Sequence, residues 1–411
     1  MSVPAGGSGA PPWLAIVGIG EDGRAGLAPA AARALDGAEV VYGGRRHLAL
    51  ASPLTAETRP WPSPIADAYP GILARRGRPT CLLATGDPFH YGIGAEIARL
   101  VPAAEIRAFP QPSAFSLAAA RLGWPLAETA CLTLHGRALT RIVPSLQPGA
   151  RLLILSWDET TPGAVAGFLA ERGMGGSRLT VLEAMGGPSE RIVDGCAHGF
   201  DGRGLAALNT LAVEVVAEAA APILALSPGL DDAWFENDGQ LTKAEIRAVT
   251  LAALRPRAGQ RLWDVGAGAG SVSIEWCLRH PAMRAVAIEA RRERAERIAR
   301  NASALGVPDR VSVREATAPE GLAGLDPPDA VFIGGGVSAP GLLAACAEAL
   351  GAGGRLVANA VTLEGEAALL DAHARRGGGL TRLSVARAGA VGGLTGWRSA
   401  MPVTQWAWTK P

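Results

Sequence analysis

Apolar runs that end in glycine and hand over to a helix-forming stretch recur along this chain, and that rhythm constrains the fold more than any other feature. LAIVGIG (14–20), VVYGG (40–44), RPTCLLATG (78–86), RLWDVGAGAG (261–270) and AVFIGGG (330–336) all show it. Each reads as a buried strand ending in a tight turn. Helical stretches such as LAPAAARAL, SAFSLAAARLG and RRERAERIARNASALG separate the strands, so the units are βαβ and the class is α/β.

With 411 residues, a prior of about 150 residues per domain gives roughly two to three domains. LAIVGIG to EIRAFP forms one strand–helix set, with a helix over YGIGAEIARLV, and the Pro-rich FPQPSAF ends it. A second set follows with SAFSLAAARLG, RLLILSW, the helix TPGAVAGFLAERG closed by Gly173, and the strand SRLTVLEAMG. GGPSERIVDGCAHGFDGRG reads as a Gly-rich stretch, and LAALNTLAVEVVAEA as a terminal strand. PILALSPGLDDAWFENDGQ lacks periodicity, which places a boundary near residues 222–240. A fresh helix starts in LTKAEIRAVTLAAL, where Thr242 and Glu245 form a capping box and Ile246, Val249, Ala253 and Leu254 share one face. TRLSVARAG and MPVTQWAWT read as two final strands with no helix between them, an antiparallel end to a parallel sheet.

A net charge of +1 with 19% charged and 48% apolar residues excludes a disordered polyelectrolyte and gives no general attraction to nucleic acid or anionic membrane. Residues 1–13 lack a basic segment followed by an apolar one, and no run of about 18 uncharged apolar residues occurs, so neither secretion nor a membrane span is expected. Cys81, Cys131, Cys196, Cys277 and Cys346 are scattered without CxxC spacing, which reads as reduced thiols of a cytoplasmic protein. The six histidines form no i, i+4 pair, so no metal site is expected. Lys243 and Lys410 are the only lysines; GC-rich codon usage and bidentate carboxylate binding both account for the arginine excess.

WDVGAGAGSVSIEW puts Asp264, Gly266, Gly268 and Gly270 between a strand and a helix, where free helix N-terminal amides and absent side chains let a ligand approach. Glu289 ends the next strand, where an acid accepts hydrogen bonds from ribose hydroxyls. A structural turn and a dinucleotide site remain as alternatives, but three features favour S-adenosylmethionine over NAD. These are the D-x-G-x-G-x-G order, the extra helix before the first strand, and the antiparallel end of the sheet. The region resembles a Rossmann-like class I methyltransferase. With DDAWFENDGQLTKAEIR, APEGL (318–322) and AVFIGGG added, residues 228–411 resemble the decarboxylating precorrin methyltransferases that act at carbon 15. That resemblance implies cofactor contacts at Thr242, at Gly266, Ala267, Gly268, Ala269 and Gly270, at Glu289 and at Ala318. It implies a tetrapyrrole-facing opening at Gly334, Gly335 and Gly336. The chain has Ala316-Thr317-Ala318 where that family often has Gly-Asp-Ala, so only a backbone contact at Ala318 carries over.

GDPFHYG (86–92) by itself reads equally as a capped structural turn, since it lacks the G-K-[ST] of a phosphate loop. It stands in order with IVGIGEDG (16–23), VVYGGRRHL (40–48), PSAFSLAAARLGWP (112–125) and LTLHGR (132–137). Together these resemble the tetrapyrrole (class III) methylases, in their carbon-5 branch, over residues 13–222. The resemblance implies two α/β subdomains with a cofactor cleft, lined by Gly18, Gly20, Gly86, Asp87, Tyr91 and Gly92 and faced by Ser113 and Ala114. Only backbone proximity carries over at Gly18 and Gly20, because Gly20-Glu21-Asp22-Gly23 replaces the family's Gly-Pro-Gly-Asp. His135 and Arg137 are implied at the substrate side as catalytic candidates; a strand-end histidine is an equal reading of His135. Arg45 and Arg46 read as a solvated basic turn ahead of a substrate clamp.

Both halves in one chain resemble the fused precorrin methyltransferases of cobalamin synthesis. The implied reaction takes precorrin-6B and two S-adenosylmethionines to precorrin-8, two S-adenosylhomocysteines and CO2, with methylation at carbons 5 and 15 and decarboxylation of the ring C acetate. Two cofactor sites per chain and self-association through the C-terminal domain are implied as well. A fused methyltransferase for another acceptor, an NAD-binding oxidoreductase and a cofactor-sensing regulator are the alternatives. Methyl transfer from a sulfonium needs alignment and exclusion of water, which suits a chain without a cysteine pair or histidine cluster.

Overall fold

A computed structural model describes residues 12–411, so the expectation for the N-terminal segment lies, over residues 1–11, outside the described residues. The chain divides into two compact units. One runs to Arg137 and resumes at Gln147–Pro222; the other comprises Ala138–Leu146 and Ile223–Pro411.

The first unit holds two five-stranded sheets. β1 (Leu14–Ile19), β2 (Val40–Gly43), β3 (Glu57–Pro60), β4 (Thr80–Thr85) and β5 (Ile106–Phe109) are all parallel, in the order β3-β2-β4-β1-β5. Alternation sends Leu14, Ile16 and Leu82 into one apolar layer and Val17, Ile19 and Leu83 into the other, as a sheet covered on both faces requires. The second sheet orders β6 (Thr129–Thr133), β7 (Arg151–Leu155), β8 (Arg178–Glu183), β9 (Arg191–Cys196) and β10 (Asn209–Glu214) as β6-β7-β10-β8-β9. Only β6 and β7 pair in parallel.

Three local expectations change. β9 lies inside the stretch read as Gly-rich; it is an exposed edge without the apolar run that announces a strand. Arg45 and Arg46 open a short helix, Arg45–Leu50, instead of a turn. The helix expected over YGIGAEIARLV shrinks to Ile93–Ile97, because Tyr91 has a φ of +60° and Gly92 is extended.

In the second unit β11 (Arg261–Val265), β12 (Arg284–Glu289), β13 (Val311–Glu315), β14 (Ala330–Ile333) and β15 (Arg355–Ala360) are parallel. β16 (Gly379–Leu383) and β19 (Val403–Thr409) complete the sheet antiparallel, in the order β13-β12-β11-β14-β15-β19-β16. Between them a separate hairpin, β17 (Ala386–Val391) and β18 (Leu394–Ser399), extends the expected ending. Among the described residues no helix is long and apolar enough to cross a membrane.

The capping box does not form. Helix Ala244–Leu254 has Lys243 at its N-cap with no side-chain cap bond, and the Glu245 carboxylate accepts from Arg387 Nε at 3.0 Å. Its buried stripe is Ile246, Arg247, Thr250, Leu251 and Leu254, while Val249 is exposed. The stripe is rotated from the expected face because Arg247 goes inside to meet the buried Glu275.

Candidate functional site

At the carboxyl ends of the parallel strands in the second unit lies a cavity of about 850 Å³, the position where open α/β sheets hold ligands. Its wall brings together Thr242, Gly266, Ala267, Gly268, Glu289, Ala318 and Gly334–Gly336 from five separate chain segments. Ala269 and Gly270 sit behind that wall. The Ala269 carbonyl accepts from Asn301 Nδ2 at 2.9 Å, and a Cβ on Gly270 would come within 2.6 Å of Ile298, so both fasten the loop to helix Arg292–Ala304.

Gly268 has a φ of +60°, and a Cβ there would come within 2.9 Å of the Gln240 carbonyl, so the position demands glycine twice over. Its N–H donates to Glu289 Oε2 at 2.9 Å, and the Arg291 N–H donates to Glu289 Oε1 at 3.0 Å. Glu289 is thereby fixed at the end of β12 as an oriented acceptor with lone pairs left over, which suits a vicinal diol. Asp264, one strand inward, is fully buried. Its Oδ2 accepts from Ser273 N–H at 3.0 Å and Oγ at 2.7 Å, while Oδ1 has no partner among the described residues. Burial, reinforced by the nearby Glu289 charge, pushes the Asp264 carboxyl up to about 6.

A buried network underlies this wall. Arg247 and Glu275 are both fully buried and meet at 2.5 Å; the Glu275 carboxylate also accepts from Gly229 N–H at 2.7 Å and Leu230 N–H at 2.9 Å. Arg247 donates further to the Thr242 and Leu230 carbonyls and lies 4.7 Å from the centre of the Phe235 ring. One charged pair therefore pins both ends of the segment 229–242, whose last residues line the cavity. Sequence reasoning missed both residues, since an arginine at a helix position reads as solvated. The one signal was their place between apolar neighbours, Ile246 before Arg247 and Ile274 before Glu275.

In the first unit the candidates meet through backbone. A Cβ on Gly18 would overlap the Gly86 carbonyl, and that carbonyl accepts from the Gln111 N–H at 3.2 Å. Gly86 has a φ of +55°, and a Cβ there would lie 2.7 Å from the Pro112 carbonyl and 3.0 Å from Ser113 Cα. Ser113 caps helix Ala114–Leu122 by accepting from Ser116 N–H at 3.1 Å. Asp87 Oδ1 accepts from Phe89 N–H at 2.8 Å, so its carboxylate shapes the turn. Tyr91 donates its hydroxyl to the Cys131 carbonyl on β6 at 3.1 Å, and Gly92 caps the short helix against the Pro88 carbonyl. Gly20 packs near the Asp22 carboxylate. His135 and Arg137 lie exposed on the turn after β6, where the His135 N–H donates to Thr133 Oγ1 at 3.2 Å.

A polar cluster beside these residues was also missed. Arg46 forms an ion pair with Glu21 and donates to Thr85 Oγ1 at 3.2 Å, and His47 Nε2 lies 2.8 Å from the same oxygen. Burial, with the Arg46 charge beside it, lowers His47 to about 4, which keeps the ring neutral. Arg46 is therefore a paired residue at the mouth of the sheet and not a solvated turn.

Comparison with known proteins finds two families in succession. A tetrapyrrole (corrin/porphyrin) methylase model matches residues 14–198, and a precorrin methyltransferase domain model matches 233–410. The chain is 54% identical over 400 residues, 97% of each chain, to the precorrin-6Y C(5,15)-methyltransferase [decarboxylating] of Sinorhizobium sp. Two shorter relatives each match somewhat less than half of it. A probable cobalt-precorrin-6B C(15)-methyltransferase (decarboxylating) of Pyrobaculum calidifontis is 39% identical over 183 residues, 43% of this chain and 93% of the relative. A cobalt-precorrin-7 C(5)-methyltransferase of Salmonella typhimurium is 30% identical over 179 residues, 44% of this chain and 88% of the relative.

Proposed function

Since the chain belongs to the decarboxylating precorrin-6Y C5,15-methyltransferases, S-adenosylmethionine-dependent enzymes of cobalamin biosynthesis, we propose a division of labour between its halves. Residues 228–411 methylate carbon 15 and decarboxylate the ring C acetate, which leaves a methyl group on the ring and releases CO2; residues 13–222 methylate carbon 5. Precorrin-6B enters, precorrin-8 leaves, and each half uses its own S-adenosylmethionine. Relatives half this length, each named for one of the two methylations, support the division.

The observation that carries the reading is the C-terminal cavity, where the glycine-lined wall meets the fixed Glu289 carboxylate. Glu289 orients the ribose, the Gly266–Gly268 backbone admits the methionine portion, and Gly334–Gly336 leave room for a flat macrocycle. When bound, the cofactor supplies an already activated methyl group. The protein's part is to hold donor and acceptor in line and keep water out. In the first half Gly18, Gly20, Gly86, Tyr91, Gly92, Ser113 and Ala114 form the second cofactor wall, with His135 and Arg137 toward the tetrapyrrole.

Self-association through the second unit is part of this reading, supported by the exposure of Trp397 (78%) and Leu394 (80%) on the hairpin. A cytoplasmic setting is supported by the five unpaired cysteines. Calorimetric titration of the whole chain with S-adenosylhomocysteine should give two sites. Gly268→Val should leave one site and abolish CO2 release; a single site in the unaltered chain, or CO2 release by the variant, overturns the reading.

A further inference from the structure

Four cations line the cavity of the second unit, and three of them are already neutralised. Lys243 Nζ lies 3.6 Å from Asp232, Arg294 Nε donates to Asp238 at 2.8 Å, and Arg387 Nε donates to Glu245 at 3.0 Å. Arg398 differs: among the described residues its partner is the Ala390 carbonyl, 2.6 Å from Nη2, and no carboxylate pairs with it.

The hairpin is arranged around this side chain. Arg387 and Arg398 are directly opposed across β17 and β18, a pairing of like charges that opposes hairpin stability and that Glu245 offsets only for Arg387. The next pair on that face is Gly389 with Gly396, and a Cβ on Gly389 would come within 3.2 Å of Arg398 Cδ. The arginine stem therefore lies across a gap that a side chain would fill. Alternation turns Trp397 to the other face.

Arg398 belongs to the hairpin and not to the segments that form the cofactor wall. Its strand leads through Ser399, Ala400 and Met401, which also line the cavity, into β19, the neighbour of β15, whose Asn359 lines the same cavity. Glu289 ends β12, and β15 is three strand positions away, about 14 Å at the usual spacing. A guanidinium without a carboxylate partner, in the wall of a cavity for a polycarboxylate, suits a carboxylate ligand. We propose that Arg398 binds a carboxylate side chain of the tetrapyrrole in a bidentate pair and so sets the rotation that presents carbon 15, one of several similar bridging carbons, to the methyl donor. This rests on the reading of the cavity as the carbon-15 site.

Steady-state kinetics of the full-length enzyme with varied precorrin-6B test it, with CO2 release as readout and S-adenosylhomocysteine affinity measured in parallel. Arg398→Gln should raise the tetrapyrrole KM by about 10- to 100-fold, the loss of one charge-assisted hydrogen-bonded pair, with a smaller change in kcat. Arg398→Lys should recover part of the loss. Gly389→Ala, which crowds the stem and leaves the charge, should raise KM less. S-adenosylhomocysteine affinity should stay unchanged in all three. An unchanged KM in Arg398→Gln means that the side chain only braces the hairpin, and an equal loss of S-adenosylhomocysteine affinity means that the carboxylate is the cofactor's own; either result overturns the proposal. Gly268→Val serves as the reference. If that variant loses CO2 release while the Arg398 variants stay normal, only the clamp is wrong; if it keeps CO2 release, the cavity reading itself fails.

Discussion

In the first unit the turn after β4 is held by backbone against backbone, Gly18 on Gly86 and Gly86 on Pro112 and Ser113, with Asp87 used up in shaping the turn. In the second unit the corresponding loop after β11 also uses glycine, but it is braced from below by side chains that carry charge: Glu289 on the Gly268 amide, Asp264 on Ser273, and the Arg247–Glu275 pair under the segment 229–242. The two sites should therefore fail differently. Both are vulnerable to added volume, at Gly86 or at Gly268, but the second depends on buried charge as well.

The largest expected effect follows from the buried pair. Arg247→Ala leaves Glu275 charged in a dry interior, which costs about 3–5 kcal/mol. In calorimetric unfolding the transition of the second unit should fall steeply while that of the first stays in place; a common fall in both would erase the contrast between the units. Asp264 gives the next effect, through pH. Its carboxyl is raised from 3.8 to about 6, so the folded state binds a proton more tightly than the unfolded chain. Stability then declines as pH rises through the window between these values, by about 3 kcal/mol in all, and is restored as pH falls below it. Asp264→Asn should flatten that decline in the second unit. Denaturant midpoints measured across this pH range check it, and an unchanged slope in the variant would remove Asp264 as its cause.

The contrast also explains what could be seen in the sequence. Strands with apolar runs that stop at glycine, such as β1, β4, β11 and β14, were legible because burial on both faces writes itself as a continuous hydrophobic run. The edge strands β3 and β9 were not, since an exposed edge has no such run. Nine of the residues carried over for the second unit's site line one cavity, because a glycine loop between strand and helix is local in sequence. The charged brace was illegible for the opposite reason: Arg247 and Glu275 are 28 positions apart, and only the packing of one helix on another brings them together. The Thr242–Glu245 motif misled because Arg387, on a hairpin more than a hundred residues away, takes Glu245 from the helix end.

On the first unit the expected effects are smaller and of another kind. Gly86→Ala forces a Cβ into a left-handed turn and against the Pro112 carbonyl, with a cost of about 1–3 kcal/mol. The first unit's transition should drop by that amount and carbon-5 methylation should fail, with CO2 release intact. If CO2 release falls as well, the separation of the two sites is wrong.

The smallest change in stability should come at Tyr91, and it separates backbone from side chain. A φ of +60° costs a non-glycine residue about 1–2 kcal/mol, and the hydroxyl bond to Cys131 O on β6 returns about 1 kcal/mol or less from a side chain that is half exposed. Tyr91→Phe should thus lower stability by only about 0.5 kcal/mol, the low end for a single hydrogen bond. Tyr91→Gly relieves the backbone and should leave stability level or slightly higher, while it removes the ring that stacks on His90 at 5.4 Å. If the strained turn exists to aim this ring into the cofactor wall, the glycine variant is the more stable of the two and the less active at carbon 5. Equal carbon-5 activity in both variants would show that the turn serves the fold alone, and would leave the first unit's site defined by its glycines.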